Sequence, residues 1–212
     1  QGHWLAVSGA GPDAAERHTQ TLVAKGVCGL ISWGCAAALH EALAPGSLLL
    51  PGHILSDRGE SHRADPEWHA RVKAVLELQH APRTEVLIES PKVVASSAEK
   101  ESLHQASGAY SVDMESAAVA RVAATRNLPF LVVRSVADDA ALDFPPALLS
   151  ALNPRGDVRM GALLAGLLRQ PRAIPELMLL GRHFNAAMKT LHSARSLLGE
   201  DFHYPNPRPD KK

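Results

Sequence analysis

In Tyr110-Ser111-Val112-Asp113-Met114-Glu115-Ser116-Ala117-Ala118-Val119-Ala120 a β-prone run gives way, without a loop, to an alanine- and valine-rich segment. Val119, Val122 and Ala123 recur at helical spacing, which predicts a helix with Glu115 in its first turn. The positive end of the helix dipole favours an ionised carboxylate there. A second strand is predicted over residues 129–136, running into Ala137-Asp138-Asp139-Ala140. The order is strand, acid, helix, strand, acid. In open α/β sheets ligands bind beyond the carboxyl ends of the strands, where both acids are expected.

Working outward, residues 4–7 read as a strand, followed by Ser8-Gly9-Ala10-Gly11 and a helix over 13–25 with Pro12 at its first position. Residues 26–33 read as the next strand, with Gly34-Cys35-Ala36-Ala37-Ala38 as a small-residue turn that admits a ligand close to the backbone. Residues 47–55 read as one strand and 56–63 as an exposed loop. Asp65 caps a helix through Trp68, Val72, Val75 and Leu76. A strand follows over 84–90, then a capping box from Ser96 and Glu99 opens a helix that Gly108 stops. This alternation predicts an α/β fold: three layers, a twisted mixed β-sheet with helices on both faces. Residues 1–142 form the α/β core, 143–203 a helical C-terminal extension with helices over 161–168, 175–180 and 183–198, and 204–212 a tail disordered by composition.

Lys and Arg balance Asp and Glu at a net charge of +0, which gives no basic stripe for nucleic acid. No run reaches the roughly 18–20 apolar residues of a membrane span. No charged leader precedes an apolar run, and Cys28 and Cys35 lack metal or redox spacing; a cytoplasmic protein without a metal or a cofactor is expected. His62, His69, His80 and His104 share no ligand spacing. The C-terminal leucines and Met160, Met178 and Met188 read either as core packing plus a subunit interface, or as an apolar lid over a lipid-tailed ligand with peripheral membrane contact.

The 111–123 and 128–140 motifs, with Gly29-Leu30-Ile31-Ser32-Trp33-Gly34-Cys35-Ala36-Ala37-Ala38-Leu39 ahead of Pro45-Gly46, resemble the nucleoside phosphorylase and nucleosidase superfamily. Within it, the chain is most similar to the hopanoid-associated branch, whose proposed substrate is adenosylhopane. The resemblance runs from His3 to Leu142 and implies a further strand and loop ahead of this point. Departures are Ala37 and Ala38 for glycines, Ser32 for a phosphate-binding arginine, Ala137 for a serine, and Val93 and Val94 for a base-stacking aromatic.

The resemblance implies cleavage of a purine N-glycosidic bond. Asp138, desolvated at the end of an apolar strand, would protonate the base. Glu115 would hold the ribose 2′- and 3′-hydroxyls, through charge-assisted bonds of roughly 1.5–3 kcal/mol each. Met114 would pack on the sugar, while Gly34, Cys35, Ala36, Val93 and Val94 would line the base pocket. Asp113 either joins them or only holds the strand–helix turn, and Arg134 is expected to form an ion pair at the sheet end. Three readings stand: a nucleosidase acting on a 5′-substituted adenosine such as adenosylhopane, a phosphorylase with phosphate as co-substrate, and a non-catalytic nucleoside-binding or scaffold protein. A homo-oligomer is implied by the family.

Overall fold

The computed structural model describes residues 3–151 and 171–205. In chain order these form α1 (Pro12–Val23), β1 (Leu30–Ala38), β2 (Leu48–Leu49), β3 (His53–Leu55), β4 (Ser61–Arg63), α2 (Pro66–Leu76), β5 (Leu87–Glu89), α3 (Ser97–Ser107), β6 (Ser111–Asp113), α4 (Ser116–Thr125), β7 (Phe130–Asp138), α5 (Pro146–Ala151), a 3-10 turn (Pro171–Ala173) and α6 (Ile174–Leu198). The strands make one mixed sheet in the order β2-β7-β1-β6-β5-β3-β4. β1 is parallel to β7 and antiparallel to β6.

Both faces of β7 are covered, as its unbroken apolar run requires. Phe130, Val132 and Val136 pack with Ala117, Ala118 and Ala120 of α4 and Ala15 of α1. Leu131 and Val133 pack on the other side with Trp68, Val72 and Leu76 of α2 and Leu191, Ala194 and Leu198 of α6. The three-layer α/β expectation therefore holds. Residues 50–52 alone join β2 to β3, which lie five strand spacings apart in the sheet order. Laid flat, that separation is about 24 Å, whereas the four Cα steps from Leu49 to His53 reach at most about 14 Å. The sheet must curl to bring its ends together.

Local signals survive well. Asp65 accepts from the Trp68 N–H at 2.8 Å with Pro66 behind it. Ser96 and Glu99 close the capping box, and Gly108 ends α3 in the left-handed conformation.

Several expectations are corrected. Gly34, Cys35 and Ala36 lie inside β1 rather than in a turn, because β7 pairs along the whole strand and β6 joins at its end. Residues 47–55 split at Pro51-Gly52, where proline lacks the donor a central strand needs. Part of the exposed loop is β4, paired with β3. Residues 4–7 pair with no strand among the described residues, and Trp4, Leu5 and Val7 are exposed. The helices over 175–180 and 183–198 are one, α6; Gly181 lies at an exposed position and does not interrupt it. The helix expected over 161–168 and most of the 204–212 tail lie outside the described residues. Tyr204 is docked, its hydroxyl donating to the Cys28 carbonyl at 2.6 Å.

Candidate active site

β6 and β7 run in opposite directions, so their acids do not share one carboxyl edge of the sheet. They meet because Val112 of β6 and Asp138 of β7 flank the same residue of β1, Ala37. Two strand spacings separate the backbones there, roughly 10 Å. The register skips Ala137 between the Ala36–Val136 and Ala37–Asp138 pairs. A bulge of this kind redirects the side chain that follows it.

Above this junction lies a cavity of about 230 Å³, lined mainly by Cys35, Ala36, Ala37, Val93, Val94, Val112, Met114 and Phe144, with Glu115 and Asp138 among its walls. Of the predicted site residues, Cys35, Ala36, Val93, Val94, Met114, Glu115 and Asp138 share this cavity, and Gly34 does not. Gly34 has another use. A Cβ there would collide with the Arg134 guanidinium, which packs over β1 at this point.

Arg134, 4% exposed, organises the acids of the motif. Its Nη2 lies 2.8 Å from Asp113 Oδ2 and 3.3 Å from Glu115 Oε2, and donates to Ser32 Oγ at 2.8 Å. Asp113 is committed to this network. Its Oδ1 accepts from the N–H groups of Glu115 and Ser116, and its Oδ2 from the Ser116 hydroxyl. Asp113 thus holds the strand–helix turn, and the expected ion pair of Arg134 is present. Ser32 lies inside the same network.

Glu115 is the N-cap residue of α4, one position earlier than expected, but its side chain caps nothing. Instead Oε1 accepts from the Gly11 N–H at 3.2 Å, which ties the start of α1 to the cavity. Burial raises its pKa, opposed by Arg134 and reinforced by Asp113. Asp138 is pushed up to about 6, first by burial, against the lowering influence of Lys100. The wholly buried Lys100 ammonium forms an ion pair with Asp138, 2.8 Å from Oδ2, while among the described residues neither carboxyl oxygen of Asp138 has a hydrogen-bond partner.

Sequence reading missed Lys100, Lys92 and Phe144. A signal for Lys100 existed: it precedes Leu103 by three residues and so shares the inward stripe of α3. Among the described residues no cluster of His, Cys, Asp and Glu is arranged to hold a metal ion, and no helix is long and apolar enough to cross a membrane.

A single family model matches residues 3–150, most of the chain. The chain belongs to the Phosphorylase superfamily. The families sharing this fold are nucleosidases and phosphorylases acting on N-glycosidic bonds. Among solved structures, the superfamily fold is matched by the 5′-methylthioadenosine/S-adenosylhomocysteine nucleosidase of Neisseria meningitidis in complex with methylthio-immucillin-A (TM-score 0.67, 16% identity, 93% of this chain and 79% of that one). Futalosine hydrolase of Helicobacter pylori matches with TM-score 0.63 and 20% identity over 88% of this chain and 76% of that one. S-adenosylhomocysteine nucleosidase of Streptococcus pyogenes matches at TM-score 0.59 and 24% identity, over 63% of this chain, and the match spans 65% of its length. Likeness at these identities shows the fold. No protein of curated function matches the sequence.

Proposed function

We propose that this superfamily member cleaves the N-glycosidic bond of a purine nucleoside by hydrolysis, with Asp138 as the general acid and Glu115 as the ribose anchor. The observation that carries this reading is the convergence of the two carboxyl groups on one largely apolar cavity, with Asp138 held by the Lys100 ion pair and, among the described residues, by no hydrogen bond. In the reaction the C1′–N9 bond breaks, its electron pair passes to the purine, and Asp138 gives its proton to N7. Water adds its oxygen to C1′, and the proton it loses passes to solvent, from which Asp138 is reprotonated. A carboxyl group near pH 6 in proton affinity suits that donation. Glu115, held by Arg134, would accept from the two ribose hydroxyls and place negative charge beside the sugar as it becomes cationic. Met114 would pack on the sugar face, and Val93 and Val94 would supply an apolar wall for the base.

The finer reading is a 5′-substituted adenosine, with adenosylhopane as the lipid-tailed candidate. It is supported by the apolar walls, Phe144 among them, and by the exposed Phe184 and Met188 on α6. That helix approaches the Asp138 end of the site, where His183 Nδ1 lies 3.8 Å from Asp139 Oδ2. Hydrolysis is preferred to phosphorolysis because Ser32, where a phosphate-binding arginine would stand, is buried in the Arg134 network.

The test is adenine release from adenosine, methylthioadenosine and a lipid-tailed adenosine, with and without phosphate. Free ribose products in phosphate-free buffer are expected. A sugar 1-phosphate formed only with phosphate would move the assignment to phosphorolysis, and no purine release from any of them would end it.

A further inference from the structure

Lys100 is a polar side chain that the fold buries completely. It comes from α3, outside all three sequence motifs, and its ammonium crosses to the end of β7. There it donates to the carbonyls of Asp139 at 2.6 Å and Leu142 at 2.8 Å, and it sits 2.8 Å from Asp138 Oδ2. Two carbonyls accept hydrogen bonds from the ammonium, and the Asp138 carboxyl group completes its surroundings as an ion pair. Burying a charge is unfavourable unless it is fully paired, and a neutral amide could bridge two carbonyls at lower cost. The third partner, Asp138, is what calls for a cation.

Building on the nucleosidase reading above, we infer that Lys100 is the positioning residue for Asp138. It grips Oδ2, leaves Oδ1 for the purine, and tethers residues 139–142 along the same end of the cavity. The proton that moves belongs to Asp138. Once the carboxyl has given up its proton, the carboxylate left behind is paired with the ammonium, which stabilises the charge that develops during transfer. Burial alone would hold Asp138 protonated too tightly, and Lys100 offsets that.

Among the described residues, the other charged groups around Asp138 do not duplicate this function. Asp139, next in the chain, acts in the opposite sense. His183 of α6 lies against Asp139. Asp113 and Glu115, on the cavity wall, are engaged by Arg134, and Lys92 lines the cavity from the loop before α3.

The experiment compares wild type, Lys100→Met and Lys100→Arg by kcat and KM across pH, and by ¹³C NMR titration of the Asp138 carboxyl. In Lys100→Met the Asp138 midpoint is expected to rise by about one pH unit or more, carrying the alkaline limb of the rate profile with it. The kcat should fall by about tenfold or more, with a much smaller change in KM. Lys100→Arg should return the limb towards wild type. An Asp138 midpoint in Lys100→Met equal to that of wild type would overturn the inference. Should Lys100→Met fail to fold, the ¹⁵N shift of the wild-type Lys100 ammonium decides: it should move with the Asp138 midpoint, and a flat response overturns the proposal. Both NMR readouts work without turnover, so failure of the nucleosidase reading would appear separately, as wild type that releases no purine.

Discussion

Replacing Arg134 with methionine keeps most of the side-chain volume and removes the guanidinium from the centre of the acidic motif. Arg134 and Asp113 have side chains only 5% and 1% exposed, so water cannot take the place of either partner. Truncation leaves Asp113 with two backbone N–H donors and the Ser116 hydroxyl but no cation, and it strips Ser32 and Glu115 of a shared donor. Breaking a buried ion pair from one side costs about 3–5 kcal/mol, because the surviving charge stays desolvated. Arg134→Met should therefore lower the urea unfolding free energy by that amount, with an unchanged denaturant slope. The double variant Asp113→Asn/Arg134→Met should recover part of the loss, since no bare carboxylate remains. A loss below about 1 kcal/mol in the single variant, or strictly additive losses in the double, would refute the claim that this network is a desolvated charge cluster.

Glu89, buried in β5, accepts from the Ala118 N–H at 2.7 Å, and burial pushes its pKa up to about 7. A raised carboxyl contributes stability below its unfolded pKa and loses it as pH climbs through about 7, so Glu89→Gln should be more stable than wild type at pH 8 by roughly 1–3 kcal/mol. The advantage should vanish near pH 5, as melting curves at the two pH values will show. For Glu115→Gln, weaker nucleoside binding is expected, by roughly 1.5–3 kcal/mol per ribose hydroxyl bond lost. Calorimetry should show that loss with adenosine and little further loss with 2′,3′-dideoxyadenosine; equal losses with both ligands would separate Glu115 from the sugar.

What the sequence disclosed was local or periodic. The caps at Asp65 and Ser96 depend on residues three apart, so they are visible in one turn's worth of chain. The strand–acid–helix order singled out Glu115 and Asp138, which line one cavity, although it did not disclose that their strands run in opposite directions. Pairing partners decided what was misread. β1 extends through Gly34, Cys35 and Ala36 because β6 and β7 supply ladders from residues some 75 to 100 positions away. β2 and β3 lie at different places in the sheet although Pro51-Gly52 separates them by a few residues. Lys100 illustrates the same limit. Its role depends on Asp138, 38 positions further along the chain, and no pattern in residues 97–107 announces that partner.

The most direct measurement is purine release by wild type and by Asp138→Asn, run beside nucleoside binding to both. The amide nearly preserves the shape of the carboxyl group but has no proton of matching acidity to give to N7. Wild type should release the base, fastest at pH values where Asp138 is protonated, while the variant binds nucleoside with near wild-type affinity and releases almost none. Equal turnover by the two proteins would contradict the account.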